Sequence, residues 1–91
     1  MPISESDPTG VSRVPADIAK TFGTRVRQLR LAKGFSQVEF GEKCGFYQTY
    51  LSRIENGQAN PSLNAIEVLA NALDMTIFEL FAAVEAGETE A

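Results

Sequence analysis

The sequence SQVEFGEKCGFYQTYLSRIENG, residues 36–57, predicts two short helices joined by a tight turn. Ser36 and Glu39 have the spacing of a capping box, in which each side chain bonds the other residue's backbone N–H at a helix start. Gly45 suits the end of the first helix, because glycine adopts left-handed backbone conformations without steric cost. The stretch therefore indicates a helix, a turn at residue 45 and a second helix over about residues 47–55.

The side chains of this stretch divide into an apolar set and a polar set. The apolar residues are expected to point inward: Phe40, Cys44, Phe46, Leu51 and Ile54. The second helix then presents a polar or amphipathic set outward: Tyr47, Gln48, Thr49, Ser52 and Arg53. Glutamine and arginine are the residue types that form bidentate hydrogen bonds with base edges. The outward set is therefore a candidate DNA-reading surface.

The spacing resembles the helix-turn-helix of the phage-repressor and Cro-like (Xre-type) DNA-binding domains. That unit carries glutamine at its start, a small residue at its fifth place and glycine at its ninth, which match Gln37, Gly41 and Gly45. The family's IENG-like ending is present at residues 54–57. The resemblance implies an all-α fold, a compact five-helix lambda-repressor-like DNA-binding domain in which helices 2 and 3 form the helix-turn-helix.

The resemblance also implies DNA contacts for individual residues. The second helix of the motif would enter the major groove, and its base-reading candidates are Gln48, Thr49, Arg53 and Tyr47. The candidates for phosphate contact within and just after the motif are Gln37, Ser36 and Asn56. The loop that follows carries no Lys or Arg, so further phosphate contacts are expected from Arg25, Arg27 and Lys43. Each of these three could instead be a solvated helix charge.

Arg30 has two interpretations. In the family, the arginine four residues before the glycine at position 34 pairs with the glutamate of the IENG-like ending, here Glu55. Such a pair would tie helix 1 to helix 3 and would be structural. Alternatively, Arg30 is part of a basic patch and contacts DNA directly.

The charge distribution is compatible with DNA binding although the net charge is −4. Residues 20–53 carry a net charge of +5, whereas residues 54–91 carry −7 and contain no Lys or Arg. Because fields in solution act within about 10 Å, a local basic face can still attract phosphates.

Other classes of function lack support in the sequence. There is no run of about 18 apolar residues to span a membrane, and the start has no signal-peptide pattern. The single cysteine, Cys44, is expected to be a buried small hydrophobe, and its being alone suits a reducing cytoplasm. There is no histidine, no set of paired metal ligands and no glycine-rich phosphate loop. We therefore expect no enzyme activity, no cofactor and no metal.

The rest of the chain is expected to complete one domain over residues 15–84, between a flexible arm at 1–14 and a flexible acidic tail at 85–91. Helix 1 should begin near Pro15 with a core stripe of Ile18, Phe22, Val26 and Leu29, in which Gly23 is a weak point. Helix 4, capped by Ser62 or Asn60, should turn its apolar residues inward: Leu63, Ile66, Leu69, Ala70 and Leu73. Thr76 and Glu79 form a second capping box before a short helix 5.

Helix 5, predicted over residues 76–84, is too apolar for a single buried stripe. A helix that is apolar nearly all round must be buried on more than one side. We therefore expect it to form a homodimer interface through Ile77, Phe78, Phe81 and Val84. The alternative is that the extra residues cover the bottom of the domain's own core.

Together these features predict a sequence-specific transcriptional regulator that binds double-stranded DNA as a homodimer on a palindromic operator. Its size and layout resemble restriction–modification controller proteins and small phage-type repressors. An alternative class is an antitoxin or adapter that uses the scaffold mainly to bind a protein partner. A third possibility, a fragment of a larger regulator, is less favoured because the chain begins with Met and ends in a plausible tail.

Overall fold

A computed structural model describes the backbone of residues 18–90 and the side chains of residues 18–86. That part of the chain forms five helices and no strand: α1 (Ile18–Ala32), α2 (Gln37–Cys44), α3 (Gln48–Glu55), α4 (Leu63–Ala72) and α5 (Ile77–Glu90). The predicted all-α, five-helix fold is confirmed. The expected arm at residues 1–14 and the expected helix start at Pro15 lie outside the described residues.

Side-chain caps define the ends of the short helices. The Glu39 backbone N–H donates to Ser36 Oγ at 3.0 Å, and the Ser36 N–H donates to Glu39 Oε1 at 2.9 Å. Thr76 and Glu79 make the same reciprocal pair before α5. Gly45 ends α2 in the left-handed region with φ of 76°. In α2, which is only eight residues long, these local bonds fix where the helix begins and ends, whereas α3 begins at Tyr47 without a side-chain cap.

All five helices contribute to the core, and its centre consists of fully buried apolar side chains: Val26, Phe40, Leu51, Ile54, Leu69, Leu73 and Leu80. Two residues that were expected to face inward do not. Ile18 is 53% exposed and Leu63 is 72% exposed. Each is the first residue of its helix, where no preceding turn covers the side chain.

α5 is longer than predicted. It continues to Glu90, six residues beyond the expected end at Val84, so residues 85–90 are helical rather than a separate tail. Four of the six residues at 85–90 are alanine or glutamate, which are strong helix formers, and no proline interrupts the helix. No helix in the described part of the chain has both the length and the apolar character needed to cross a membrane.

Gly23 is a contact point between α1 and α3 rather than a weak point of α1. A methyl group there would overlap the backbone carbonyl oxygen of Ile54 and lie 2.9 Å from the carbonyl carbon of Glu55. The two helices can approach this closely only because residue 23 has no side chain. The helix-propensity cost of the glycine is thus offset by close packing beneath α3.

Gly23→Ala should destabilise the fold by about 1–3 kcal/mol, although alanine is the better helix former, because the added methyl meets rigid backbone. Urea unfolding monitored by circular dichroism would measure the change. Thr24→Ala, at the exposed neighbouring position, is the matched control and should stay within about 0.5 kcal/mol of the parent. A Gly23→Ala protein as stable as the parent would show that α1 and α3 are not packed in this way.

Cys44 is half-buried at the end of α2 and packs against the core. Burial raises the pKa of its thiol from 9.0 to about 11, and Lys43 opposes this effect more weakly. The thiol therefore stays protonated at neutral pH and behaves as a small apolar group.

Alkylation of native Cys44 by iodoacetamide at pH 8 should be about 100-fold slower than in the urea-unfolded chain, because only the thiolate reacts. The adduct can be followed by intact-mass measurement at timed intervals. Equal rates for the folded and unfolded chain would show that Cys44 is neither buried nor perturbed.

Candidate nucleic-acid interface

α3 buries one face and exposes the other. Leu51 and Ile54 are almost fully buried beneath it, at 0% and 1% exposure. Outside that face the side chains of Gln48, Thr49 and Arg53 are exposed. Tyr47, which precedes α3 as its N-cap residue, is 88% exposed. The structure therefore brings the four base-reading candidates to one continuous outer surface.

A buried ion pair holds α3 against α1. Arg30 Nε donates to Glu55 Oε2 at 2.7 Å, and Arg30 Nη2 donates to Glu55 Oε1 at 3.0 Å. Arg30 Nη1 also donates to the backbone carbonyl of Phe35 at 2.8 Å, which fixes the connection between α1 and α2. Both side chains are at least nine-tenths buried, so Arg30 is a structural residue in this fold.

Gln37 links this pair to the outer surface. Its Nε2 donates to Glu55 Oε1 at 3.1 Å, while its Oε1 accepts from Gln48 Nε2 at 3.4 Å. Gln37 is the first residue of α2, where the N–H groups of the first turn have no partner within the helix. Ser36 accepts the capping bond through its Oγ, and its hydroxyl hydrogen still allows it to donate to an anion.

Two of the candidate contacts bond their own neighbours. Arg53 Nη2 donates to the Gln58 backbone carbonyl at 3.1 Å, and Asn56 Nδ2 lies 3.5 Å from Ser52 Oγ. Both side chains are exposed, and a guanidinium has five N–H donors. These bonds therefore orient Arg53 and Asn56 along the outer surface and leave further donors for a ligand.

The three basic residues expected to contact phosphate, Arg25, Arg27 and Lys43, lie in different parts of the structure. Arg25 is half-buried, and its Nε donates to the carbonyl of Ala83 in α5 at 2.9 Å. Arg25 thus ties α1 to α5, which does not support its expected contact with phosphate. Arg27 lies about 160° away around α1, one turn beyond Gly23, on the edge that adjoins α3.

Lys43 also turns away from α3. Its Nζ lies 5.1 Å from the centroid of the Phe35 ring, at the α1–α2 connection. Lys33, which pairs with Asp74 at 3.1 Å, lowers the pKa of the Asp74 carboxyl, and the charge of Lys43 lowers it further. Lys43 therefore belongs to a cation group around Phe35 and Asp74, which does not support its expected role beside α3.

Lys20 is a basic residue that the sequence reasoning did not place at the site. It is exposed on α1, and a methyl group at Gly57 would lie 2.7 Å from its Cα. Lys20 thus flanks the loop after α3, which has no basic residue of its own. Its spacing of seven residues from Arg27 puts both on the same edge of α1, and that spacing could have identified it.

The four residues predicted to form the interface on α5 differ in their exposure. Phe78 is 81% exposed and Ile77 is half-buried. Phe81 is 43% exposed, and its ring centroid is 6.1 Å from that of Phe22. Val84 does not fit the predicted interface, since it is only 5% exposed and belongs to the domain's own core. The exposed apolar surface of α5 is therefore centred on Phe78 and Phe81.

A cleft of about 120 Å³ lies beside this surface and is almost entirely apolar, with a lining that includes Ile18, Phe22, Pro61, Ile66, Phe81 and Val84. No group of three His, Cys, Asp or Glu side chains with the spacing of a metal site occurs within the described residues.

Comparison with known proteins gives one family and several relatives. A family model described as a helix-turn-helix domain matches residues 21–80. The HTH-type transcriptional regulator SinR of Bacillus licheniformis is 42% identical over 69 residues, which are 75% of this chain and 60% of SinR. The chain thus spans less than two thirds of that relative.

Two solved structures resemble the fold. The restriction–modification controller protein C.AhdI from Aeromonas hydrophila is 44% identical with a TM-score of 0.67, over 69% of this chain and 96% of that protein. A structure of SinR, described as the master regulator for biofilm formation in complex with DNA, is 41% identical with a TM-score of 0.60, over 66% and 97%.

Proposed function

This chain belongs to the helix-turn-helix domain family, and on that premise we propose that it is a transcriptional regulator that binds specific double-stranded DNA. The resemblance to Xre-type regulators, including restriction–modification controller proteins, is confirmed. Its relatives are regulators that bind DNA rather than enzymes, in agreement with the expectation of no catalytic activity. The proposed place of action is the cytoplasm.

The observation that supports the proposal best is the presentation of α3. The Arg30–Glu55 pair fixes this helix from beneath, while Gln48, Thr49 and Arg53 remain exposed on its outer face. The major groove is about 12 Å wide and admits a helix with its side chains. In the proposed complex α3 lies in the groove, where Gln48 is suited to adenine and Arg53 to guanine.

Phosphate contacts in the proposed complex come from residues around α3. Gln37 lies at the start of α2, where unpaired backbone N–H groups and the helix dipole favour an anion. Asn56 follows α3, and Lys20 and Arg27 line the adjoining edge of α1. These contacts set the register of the helix on the duplex, whereas the base contacts supply specificity.

The exposed part of α5 supports action as a homodimer. One α3 helix reads too few base pairs for a specific site, and a twofold dimer places two such helices about 34 Å apart on a palindrome. Phe78 and Phe81 form an exposed aromatic surface on α5, which suits burial against a second copy. The same surface is the one that would favour a protein partner instead.

Gln48→Ala and Arg53→Ala should each reduce discrimination at one operator position by about 1–3 kcal/mol, because each removes one bidentate base contact. The operator is first obtained by selecting bound sequences from random duplex DNA, and affinity is then measured on variants changed at one base pair. Asn64→Ala, an exposed amide on α4, is the matched control and should bind as the parent does. If both variants keep the parent's preferences, α3 does not read the bases.

Phe78→Glu should convert the dimer to monomers and weaken operator binding, because a buried carboxylate without a partner is costly at an apolar interface. Sedimentation equilibrium measures the mass. Phe78 is a sharper choice than Phe81, whose ring also packs on Phe22 within the domain.

Leu31→Glu, at an exposed leucine on α1, is the control for the added charge and should leave the mass unchanged. A Phe78→Glu dimer as stable as the parent would place the interface elsewhere. A parent protein that is monomeric and selects no DNA sequence would favour the protein-adapter function.

A further inference from the structure

The buried ion pair and the outer face of α3 are joined by one chain of hydrogen bonds. It runs from Arg30 to Glu55, from Glu55 to Gln37 and from Gln37 to Gln48. We infer that Glu55 is a positioning residue that determines which atoms of Gln48 face the DNA, acting through Gln37. This inference rests on the proposed function, and it adds a residue that cannot itself touch a base.

In the first step, Glu55 restricts the orientation of the amide that faces it. Paired with the Arg30 guanidinium through both oxygens, its carboxylate only accepts hydrogen bonds. A side-chain amide can face such a group only with its NH2. The Gln37 amide is therefore turned with Nε2 toward Glu55 Oε1, at 3.1 Å.

In the second step, Gln37 restricts the orientation of the Gln48 amide on α3. With its nitrogen held by Glu55, Gln37 presents Oε1 on its other side, and Oε1 can only accept. Gln48 must then place its own NH2 toward Gln37, which is the arrangement found, at 3.4 Å from nitrogen to oxygen. Each amide along the chain is thus oriented by the one before it.

The third step concerns the atoms that Gln48 has left for DNA. With one N–H directed to Gln37, it still offers Oε1 and its second N–H, one acceptor and one donor. Adenine needs this pair, since its N6 donates and its N7 accepts in the major groove. A reversed Gln48 amide would bond Gln37 through Oε1 and present its remaining acceptor and its donors in the opposite order, which does not match the order of N6 and N7 on adenine.

Gln48 and Glu55 lie two turns apart on α3, and the hydrogen bonds that connect them pass through Gln37 of α2. Their spacing of seven residues puts them on the same side of the helix, and Gln37 bridges the gap between them. Glu55 is 4% exposed and therefore outside the reach of DNA. Its side chain can affect base choice through Gln37 or by fixing the position of α3 against Arg30, and only the first route requires the Gln37 amide.

The test is a cycle of four proteins: the parent, Glu55→Gln, Gln37→Met and the double variant. Methionine has a similar length and removes the amide, and it leaves the Arg30–Glu55 pair intact. For each folded protein, as judged by circular dichroism, affinity is measured on operators carrying each base pair at the position read by Gln48. Gln48→Ala identifies that position.

Glu55→Gln should reduce the preference for adenine at this position by about two- to tenfold, the range that one neutral hydrogen bond supports, while preferences elsewhere stay unchanged. Gln37→Met should cause a similar reduction in preference, while the backbone N–H groups at the start of α2 stay available to a phosphate. In the Gln37→Met background, Glu55→Gln should have no further effect on preference. A merely structural role, exerted through the position of α3, would give Glu55→Gln the same effect in the parent and in the Gln37→Met background.

Two outcomes would overturn the inference while the proposed function stands. One is an unchanged preference in Glu55→Gln or, if that variant does not fold, in Gln37→Met. The other is an equal effect of Glu55→Gln with and without Gln37. By contrast, a parent protein that enriches no sequence from random duplex DNA would overturn the proposed function itself.

Discussion

The fold depends on one buried ion pair between its first and third helices. Arg30 and Glu55 are far apart in sequence and meet through two hydrogen bonds beneath α3. Such a pair adds little net stability, since removing both charges from water costs about as much as their attraction returns. Its contribution is geometrical. A bidentate contact permits one relative position of the two helices, and Gly23 allows their backbones to meet at that position.

The same geometry separates structural from exposed polar residues. Arg30, Glu55 and Gln37 have polar atoms committed to one another, whereas Thr49 and Arg53 extend from the opposite side of α3. α1 shows a similar division between its edges. Arg25 is bonded to α5, and Lys20 and Arg27 lie along the edge next to α3. A basic residue therefore has a different role on each side of the same helix.

Local features were predictable from the sequence, and contacts between helices were less so. The capping boxes, the left-handed glycine and the two faces of α3 depend on residues within one or two turns, and the structure has all of them. The role of Gly23 depends on the approach of α3, which no local pattern records. The positions of Arg25 and Val84 depend on how α5 packs on α1. Ile18 and Leu63 match the apolar pattern of their helices, but each is the first residue of its helix and is therefore exposed.

The exposed face of α3 has a consequence for how such a regulator can change during evolution. Tyr47 is 88% exposed, and Thr49 and Arg53 also lie outside the core. Substitutions there carry little risk to the fold, because exposed positions seldom change stability by more than about 0.5 kcal/mol. Gln48 is more constrained, since its amide is bonded to Gln37. If α3 reads DNA as proposed, new operator preferences can therefore arise most readily at residues 47, 49 and 53, while the buried scaffold is inherited unchanged.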